Sequence, residues 1–461
     1  MFETYQYFKS TRSVCPTCRT LVPAKIVFVD RNVYMLKVCS QHGEFRSLIE
    51  RDSERYLESL SISKPALIPL EFTHTSFDGC GYSCGICPEH QQHTCLPIIE
   101  ITDYCNFSCP ICLVENSKKT HMGTEEFASI IDSLIRVEGT LDLINISGGE
   151  PTMHPELISL IDRARRKEIT NISISTNGRA FLENRFLLEG LVKRGVYISL
   201  QFDGFDSEIY RAIRGEDLLE EKLHILELLE QACAKTSLVM TVIRGINDHQ
   251  IGQVVDFVLE KNFIKSLMIQ PIAFTNSEYK YDEAKVETTS DIANELTKAK
   301  KVSISKDDVT PLPCSHPSCF SLMYLLKLEG GGYVPLTHLV DVNSYLNVIQ
   351  NRTTPGLDGE SFEKIRDNIY ELWSASGSQP ESEKILATVR NLICELGKCG
   401  RNPSPQSVFT IAENNIKSIF IHSFMDPYNF DLARAMKCCN QYPVHRDFLP
   451  CCFRNVIKRR N

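Results

Sequence analysis

The chain has 461 residues, 43% of them hydrophobic, and a formal net charge of −8. Its length leaves room for two to four domains with sizeable cores, and the negative charge argues against a general nucleic-acid binder. No run approaches the 18 apolar residues of a spanning helix, and the first residues lack a secretory-signal pattern. We therefore expect a cytoplasmic protein, with peripheral contact at the inner membrane surface left open.

The chain contains 19 cysteines, which fall into six groups apart from the isolated Cys233. In a chain of this length without a signal, so many cysteines favour metal ligands or redox groups over structural disulfides. Five of these groups carry metal-site hypotheses, and the sixth, Cys394 and Cys399, is a candidate for an additional ligand or a reactive pair.

The first group forms two knuckles around a predicted β-hairpin, in residues 1–60. Cys15 and Cys18 make one knuckle, and Cys39 and His42 make the other. Four sulfur or nitrogen ligands suit a tetrahedral zinc ion or a rubredoxin-like single iron. A segment this small hardly folds without its metal, so we predict a closed structural site of zinc or iron.

The second group lies in residues 61–97. It consists of four cysteines within sixteen residues, Cys80, Cys84, Cys87 and Cys95. Four thiolates can enclose a whole iron–sulfur cluster and leave no open iron. We predict an auxiliary cluster here, with a four-thiolate zinc site as the alternative.

The third group, Cys105, Cys109 and Cys112, follows an apolar run that ends at Ile101. Three thiolates on one loop can ligate three irons of a [4Fe–4S] cube, which usually takes four cysteines. One iron then keeps an open position, as catalytic zinc does, where a substrate or cofactor can bind. A structural zinc site or unrelated free thiols are the alternatives.

Residues 98–310 alternate predicted strands with predicted helices. The strands are expected at 98–102, 141–147, 171–176, 196–202, 237–243 and 266–272, and the main helices at 124–137, 155–166, 181–194, 217–234 and 251–261. Because most strands are near-continuous apolar runs, we expect parallel strands that are covered on both faces. The pattern predicts an α/β fold, either an open sheet or a barrel, with its site at the C-terminal strand ends.

Glycines and polar residues follow three neighbouring predicted strands. In chain order they are Gly148, Gly149, Glu150, Ser175, Asn177, Gln201 and Asp203. Glycines let the backbone approach a ligand closely, and the polar groups suit an ammonium, a carboxylate or ribose hydroxyls. We predict that these residues bind a cofactor, with ordinary strand-to-helix turns as the alternative. Arg214 and Arg244 are candidate carboxylate partners.

Residues 311–461 form a predicted C-terminal domain that is again rich in cysteine. Cys314 and Cys319, with the adjacent pairs at 438/439 and 451/452, offer six thiols. Adjacent cysteines do not easily ligate one cube together, so we predict one ligand from each pair. The predicted ligands of a further auxiliary cluster are Cys314, Cys319, Cys438 and Cys452.

The order of these motifs resembles a known superfamily. The three-cysteine loop, followed by Gly148-Gly149-Glu150-Pro151, is similar to the signature of radical S-adenosylmethionine (SAM) enzymes, whose core is a partial (βα)6 barrel. The N-terminal knuckles, Leu200-Gln201-Phe202-Asp203-Gly204 and the segment 425–431 add a finer likeness. With them the chain resembles the archaeal tetraether lipid synthases and their bacterial relatives, once described as pterin methyltransferases.

The resemblance implies a set of cofactors and a reaction. The cofactors are SAM with a [4Fe–4S] cluster on Cys105, Cys109 and Cys112, one or two auxiliary clusters, and an electron donor such as ferredoxin or flavodoxin. The implied reaction is hydrogen abstraction from an unactivated C–H by a 5′-deoxyadenosyl radical, then C–C coupling of lipid alkyl chains. The alternatives are modification of a small molecule, such as methylation of a pterin or natural-product intermediate, and a non-catalytic iron–sulfur electron carrier.

Overall fold

The computed structural model describes residues 4–75, 79–113, 119–275, 279–340, 346, 349–351, 380–398, 405–444 and 447–457. Within these residues no helix is both long and apolar enough to cross a lipid bilayer.

The N-terminal module is an antiparallel sheet followed by one helix. It comprises β1 (Gln6–Val14), β2 (Leu21–Val29), β3 (Asn32–Cys39), β4 (Gly43–Glu50) and α1 (Ser53–Ser61). The predicted hairpin is confirmed as β2 and β3, which turn at Asp30 with a φ of 54°. The two cysteine knuckles occupy the turns after β1 and β3, at the same end of the sheet.

Six parallel strands form the centre of the second sheet and lie side by side in chain order. They are β5 (Leu96–Glu100), β6 (Leu141–Ser147), β7 (Ile169–Thr176), β8 (Tyr197–Gln201), β9 (Thr236–Val242) and β10 (Ile264–Pro271). Each lies within two residues of a strand that the sequence predicts. The predicted α/β fold with a parallel sheet is therefore confirmed.

Helices connect these strands. They are α2 (Thr124–Glu138), α3 (Leu157–Ala164), α4 (Ala180–Glu183), α5 (Arg185–Lys193), α6 (Ser207–Arg214), α7 (Leu219–Gln231), α8 (Ile251–Glu260) and α9 (Thr289–Leu296). The single helix predicted at 181–194 is two helices, because Asn184 leaves helical geometry and caps α5 through the Leu187 N–H. Short 3-10 helices occur at Pro151–Met153, Asp248–Gln250, Glu283–Lys285, Lys306–Asp308 and Leu336–His338.

The parallel strands are not apolar on both faces, which differs from the sequence-based expectation. Their outer face carries buried residues such as Ile146, Ile174 and Leu200, which belong to the main hydrophobic core. The inner face carries small polar residues, namely Asn145, Ser173, Ser175, Ser199, Ser237 and Ser266. The physical reason is that the inner face lines a cavity, whereas only the outer face packs against helices.

The C-terminal residues extend this sheet at both edges. Their strands are β11 (Thr310–Pro311), β12 (Phe320–Lys327), β13 (Tyr333–Pro335), β14 (Ile416–His422), β15 (Asn440–Val444) and β16 (Asp447–Pro450). Their helices are α10 (Pro380–Lys398), α11 (Pro405–Asn415), α12 (Leu432–Met436) and α13 (Cys451–Val456). Strand β14 pairs in parallel with β10, and β15 pairs in parallel with β5. The predicted domain boundary between residues 310 and 311 stays a prediction, although strands on both sides of it share one sheet.

Polar contacts anchor the N-terminal module on the rest of the chain. The buried Lys37 ammonium donates to Ser13 Oγ at 3.0 Å and to the Pro427 carbonyl at 2.6 Å. Burial lowers the pKa of Lys37 to about 7, against the opposing charge of Asp426. Arg51 pairs with Asp291 at 3.0 Å. The module is thereby held against both the core and the turn that precedes α12.

Candidate active site at the strand ends

The cysteine loop after β5 is held against the end of β6 by direct backbone contact. The Gly149 N–H donates to the Thr102 carbonyl at 2.8 Å, and the Glu150 N–H donates to the Tyr104 carbonyl at 2.7 Å. A Cβ on Gly148 would lie 2.2 Å from the Thr102 carbonyl oxygen, and the φ of Gly148 is +143°. Only glycine combines this φ with so close an approach. The glycine pair thus fixes the position of the loop that carries the three cysteines.

Glu150 joins this contact to the end of β7. Its carboxylate, on a residue that is 2% exposed, accepts hydrogen bonds from the Thr152 N–H at 3.0 Å, Thr176 Oγ1 at 2.7 Å and the Asn177 N–H at 2.7 Å. Sequence reasoning placed Glu150 among cofactor-binding residues. In the structure its carboxylate is largely used by protein groups, so Glu150 positions the strand ends.

Asn177 connects the end of β7 back to the cysteine loop. Its Nδ2 donates to Asn106 Oδ1 at 2.7 Å, one residue after Cys105. Ser175 donates to Asn145 Oδ1 at 3.1 Å on the neighbouring strand. Both predicted residues line the central cavity.

Asp203 and Arg214 form a bidentate ion pair beyond the end of β8. Arg214 Nε lies 2.7 Å from Asp203 Oδ2, its second nitrogen lies 2.9 Å from Oδ1, and Gln201 Nε2 also donates to this carboxylate. Burial opposes the charge on Arg214, but Asp203 outweighs it and raises the pKa of Arg214 above its usual value. Arg214 also interacts with the Cys109 thiol. Asp203 therefore positions Arg214, which faces the cavity.

Arg244, the other candidate carboxylate partner, lies outside this cavity wall. It forms ion pairs with Asp291 at 2.9 Å and with Glu287 at 3.7 Å. These pairs make Arg244 part of the contact between the end of β9 and α9.

One cavity of about 450 Å³ collects these groups. It is lined by Cys105, Cys109, Cys112, Gly148, Gly149, Glu150, Ser175, Asn177 and Gln201, so that all the predicted loop and cofactor residues except Asp203 meet there. Burial raises the pKa of the Cys105 thiol to about 12. Because a thiolate is the metal ligand, binding of a metal there must displace this proton.

The cavity has two chemically different walls. The parallel strands supply the small hydroxyl and amide groups of the inner face, and the C-terminal residues supply an aromatic wall of Phe320, Tyr324, Phe409, Phe420 and Phe424. Sequence reasoning did not find the aromatic wall. Two apolar stretches of the sequence, 416–422 and 320–327, indicate this wall, because both have the composition of buried strands.

The N-terminal knuckles form a compact ligand set. The ligand atoms of Cys15, Cys18, Cys39 and His42 all lie within 4.8 Å of one another, and no other such group occurs among the residues that the structure describes. Cys18 Sγ lies 3.9 Å from Cys39 Sγ, close to the roughly 3.8 Å edge of a tetrahedron with Zn–S bonds of about 2.3 Å. The arrangement fits a single zinc or iron ion.

The structure groups the remaining cysteines differently from the sequence-based sets. The Cys95 N–H donates to the Cys439 carbonyl at 2.9 Å, the two thiols interact, and Cys314 lies near both. Cys84 packs instead in an apolar cluster that contains Cys452. Cys95 thus lies beside Cys439 at the start of β15, while Cys80 and Cys87 lie near each other, and the ligand set predicted at 80–95 stays a prediction.

The C-terminal thiols form two neighbouring groups that share Cys439. Cys319 and Cys438 lie near Cys452, whose thiol forms a hydrogen bond with that of Cys451, and Cys439 lies near Cys314, Cys319 and Cys438. The predicted ligand set stays a prediction. Cys95 and Cys439 also line the central cavity. A second thiol group therefore faces the same space as the three-cysteine loop.

Comparison with known proteins agrees with this geometry. Residues 99–258 match the model of the radical SAM superfamily. The chain carries a radical SAM domain. Residues 7–51 match a family described as the HMPTM N-terminal zinc ribbon domain, which covers the four N-terminal ligands.

Individual relatives extend the likeness. A Methanocaldococcus jannaschii protein named 7,8-dihydro-6-hydroxymethylpterin dimethyltransferase is 28% identical over 98% of this chain and 94% of its own length. A probable GTP 3′,8-cyclase of Thermococcus kodakarensis is 28% identical over 37% of this chain and 55% of its own length. Among solved structures, Streptococcus suis SuiB bound to S-adenosylmethionine has a TM-score of 0.38 and 18% identity over 44% of this chain and 46% of that one. A likeness this low carries no functional argument.

The radical SAM domain implies a [4Fe–4S] cluster and SAM, and the site fits both. Cys105, Cys109 and Cys112 offer three thiols on one loop that borders the cavity. Three thiols would leave one iron of such a cluster without a protein ligand, available to SAM. The assignment of these cysteines and cavity residues to the two cofactors stays a prediction.

Gly148→Ala should disable the radical site while leaving the fold intact. The added Cβ meets the Thr102 carbonyl oxygen at 2.2 Å and must displace the cysteine loop. We expect loss of iron from the site and at least a hundredfold loss of 5′-deoxyadenosine formation, about 2.7 kcal/mol. Gly123→Ala is the matched control, since its Cβ would meet nothing within 4 Å. Equal activity in the two variants would contradict the positioning role.

His42→Ala should remove one metal ion from the N-terminal module. We expect one equivalent less of zinc or iron by elemental analysis and a lower thermal midpoint, because the small sheet depends on its closed site. SAM cleavage by the remaining folded protein should persist. His249→Ala, at an exposed position, is the control. Unchanged metal content in His42→Ala would rule out the four-ligand site.

Proposed function

We propose that this protein is a radical SAM enzyme that modifies a small polar heterocycle, such as a pterin, at an unactivated C–H position. The bound cluster and SAM supply a 5′-deoxyadenosyl radical, which abstracts the hydrogen atom. The observation that carries the proposal is the cavity with one polar and one aromatic wall beside the three-cysteine loop.

The polar wall suits the edge of a heterocycle. Asn145 Nδ2 donates to Ser173 Oγ at 2.9 Å, and Ser266 Oγ donates to Ser237 Oγ at 2.7 Å. Each hydroxyl can both donate and accept, so these groups keep capacity for ring nitrogens and exocyclic groups after pairing with one another. An alkyl chain would bury the same groups without replacing their contacts with water, which costs free energy.

The aromatic wall suits the face of the same heterocycle. Phe320 and Phe420 lie 5.6 Å apart by ring centroid, and Tyr324 lies 6.4 Å from Phe420. Aromatic faces stack on flat rings with modest gains beyond area burial. A flat molecule with polar edges can therefore use both walls at once. The Methanocaldococcus jannaschii relative is named as a pterin dimethyltransferase, which supports the same substrate class and makes methylation the reaction that we favour for this protein.

The residues around the loop take distinct roles in this proposal. Cys105, Cys109 and Cys112 hold the cluster, and the backbone at Gly148 and Gly149 borders the SAM amino group. The polar groups of Ser175, Asn177 and Gln201 are assigned to the SAM carboxylate and ribose. Arg214, held charged by Asp203, places a cation near Cys109 that favours the thiolate as ligand.

A second candidate function is C–C coupling of lipid alkyl chains. The aromatic wall and the neighbouring Leu322 and Ile416 favour it, since they offer apolar area to a chain. The polar wall disfavours it, for the reason given above. The direct comparison is product formation from a pterin against product formation from lipid.

We further propose that the thiols outside the three-cysteine loop hold auxiliary iron–sulfur clusters, with ferredoxin or flavodoxin as the class of electron donor. The support is the convergence of Cys95, Cys314 and Cys439 from three distant segments, which a set of free thiols does not require. We therefore propose cluster ligands that are grouped by their proximity in the fold rather than by their spacing in the sequence.

Iron analysis of cysteine variants distinguishes the two groupings. If Cys95 and Cys314 share one cluster, Cys95→Ser and Cys314→Ser should each remove about four irons, and the double variant no more than either. Combining Cys84→Ser with Cys95→Ser should then remove about eight irons. Cys233→Ser, at an exposed position, should remove none. If Cys84→Ser and Cys95→Ser instead remove the same irons, the grouping by sequence spacing holds.

Anaerobic product analysis tests the proposed function itself. With excess SAM and with dithionite as the electron source, we expect 7,8-dihydro-6-hydroxymethylpterin to stimulate 5′-deoxyadenosine formation and to gain the mass of one or two methyl groups. Each methylation then uses two SAM molecules and two electrons: one SAM gives methionine and 5′-deoxyadenosine, and the other gives its methyl group to the substrate carbon and leaves as S-adenosylhomocysteine. Deuterium at the reacting carbon should appear in 5′-deoxyadenosine. Cys105→Ala should abolish both signals, while Cys233→Ser should retain them. Product from a lipid extract, with none from the pterin, would reject the pterin and support alkyl coupling.

A further inference from the structure

The far end of the cavity, opposite the cysteine loop, contains a cation that the proposed reaction does not use. Lys265 lies at the start of β10 and Gln270 near its end, and both line the cavity. The two residues are five steps apart along the strand, which corresponds to roughly 17 Å. The cavity therefore extends well beyond the reacting end, to the N-terminal ends of the parallel strands.

A β-bulge directs Lys265 toward this space. In the pairing of β9 with β10, Ile264 opposes Thr236 and Ser266 opposes Ser237, so that Lys265 is the additional residue. Bulges commonly redirect a side chain next to a functional site. Lys265 and Ser266 line the same cavity although they are adjacent in a strand, where neighbouring side chains normally alternate.

The other charged groups at this end have partners. Glu413 accepts from Lys235 at 2.7 Å and from the Tyr197 hydroxyl at 2.5 Å. Lys417 donates to the carbonyls of Lys261 and Ile264. These contacts satisfy the single carboxylate of the group and two of its cations.

Lys265 differs from these neighbours. Lys327 donates to Asn262 Oδ1 at 3.0 Å, whereas the Lys265 ammonium has no hydrogen bond or ion pair with any residue that the structure describes. Burial, followed by the charges of Lys235 and Lys327, lowers the pKa of Lys265 against the opposing effect of Glu413. Because Glu413, the carboxylate that favours the charge of Lys265, is already paired with Lys235, an anionic ligand would further stabilise this half-buried ammonium.

A second cavity adjoins this point. It has a volume of about 180 Å³ and shares Lys265, Glu413 and Ile416 with the central cavity, while Lys327 and Lys417 complete its basic side. Three lysines face one carboxylate there, and that carboxylate is already paired with Lys235. Burial lowers the pKa of Lys417 to about 7, but Lys265 and Lys327 still outnumber the single carboxylate, so the space is net positive and suits a compact anion.

We propose that Lys265 binds an anionic group, a phosphate or carboxylate, carried by the substrate at the end of the cavity remote from the radical site. The inference rests on the proposed function and deepens it, because it names the substrate class as a heterocycle with an anionic extension. Every carbon-bound hydrogen of a 6-hydroxymethylpterin lies on or beside the hydroxymethyl carbon, so reaction at the cysteine loop requires the anion to stand on a longer extension of the heterocycle. The phosphate ester of the hydroxymethylpterin serves below as a binding probe for the anion site. The anion fixes the distal end of the substrate, and the strand length then sets which carbon lies beside the three-cysteine loop.

Binding measurements test the site without turnover. The reconstituted full-length protein is titrated by calorimetry with inorganic pyrophosphate, with 7,8-dihydro-6-hydroxymethylpterin, and with its phosphate ester. We expect the ester to bind at least about tenfold more tightly than the alcohol, a difference of about 1.4 kcal/mol. Lys265→Met should remove this difference, Lys265→Glu should reverse it, and Lys265→Arg should keep most of it because the positive charge remains.

Controls make the outcome decisive. Lys298→Met removes an exposed lysine that pairs with Glu295, and it should bind the ester as the wild type does. Thermal midpoints establish that each variant is folded. Equal affinity for ester and alcohol in the wild type, or an unchanged preference in Lys265→Met, would overturn the proposal. Since no catalytic step is measured, a failure here is distinct from a failure of pterin-dependent 5′-deoxyadenosine formation.

Discussion

The backbone contact between the cysteine loop and the glycine pair is the constraint on which the site depends. Two hydrogen bonds join Thr102 and Tyr104 to the end of β6, at a distance that permits no side chain at Gly148. The Glu150 carboxylate also accepts hydrogen bonds from Thr176 and Asn177, so the end of β7 is held to the same contact. The three thiols that we predict as ligands are held in place because the loop that carries them is fixed by these hydrogen bonds within the protein.

In the proposed function, the two ends of the parallel strands have different roles. Radical chemistry is assigned to the C-terminal ends, where loops can hold a cluster, and recognition of charge to the N-terminal end at Lys265. Because strand rise is nearly constant, the distance between the two ends is fixed by the number of residues in β10. A substrate anchored at one end thus presents a defined atom at the other, without a closing lid.

The parallel strands and the three-cysteine loop could be predicted because both are local patterns, of apolar periodicity and of cysteine spacing. The polar inner face is also present in the sequence, for example as the alternating Asn171, Ser173 and Ser175. The β-branched residues of the outer face nevertheless favoured a prediction of strands that are apolar on both faces. The thiol groups could not be predicted from spacing, because Cys95 and Cys439 meet through the sheet pairing of β5 with β15, and Cys314 reaches them from the segment after β11. Likewise, the bulge at Lys265 depends on the register between two strands, which single-sequence patterns do not contain.

Two thiols in the cavity wall would affect the lifetime of a substrate radical. Cys95 and Cys439 face the same space in which the proposed substrate radical forms. A free S–H bond is weaker than the C–H bonds of most substrates, so an unligated thiol there would return a hydrogen atom to a carbon radical and end the reaction. Metal ligation replaces that hydrogen, since only the thiolate binds. An auxiliary cluster at these residues, as proposed above, would therefore protect the substrate radical by removing a hydrogen donor, whether or not it also carried electrons.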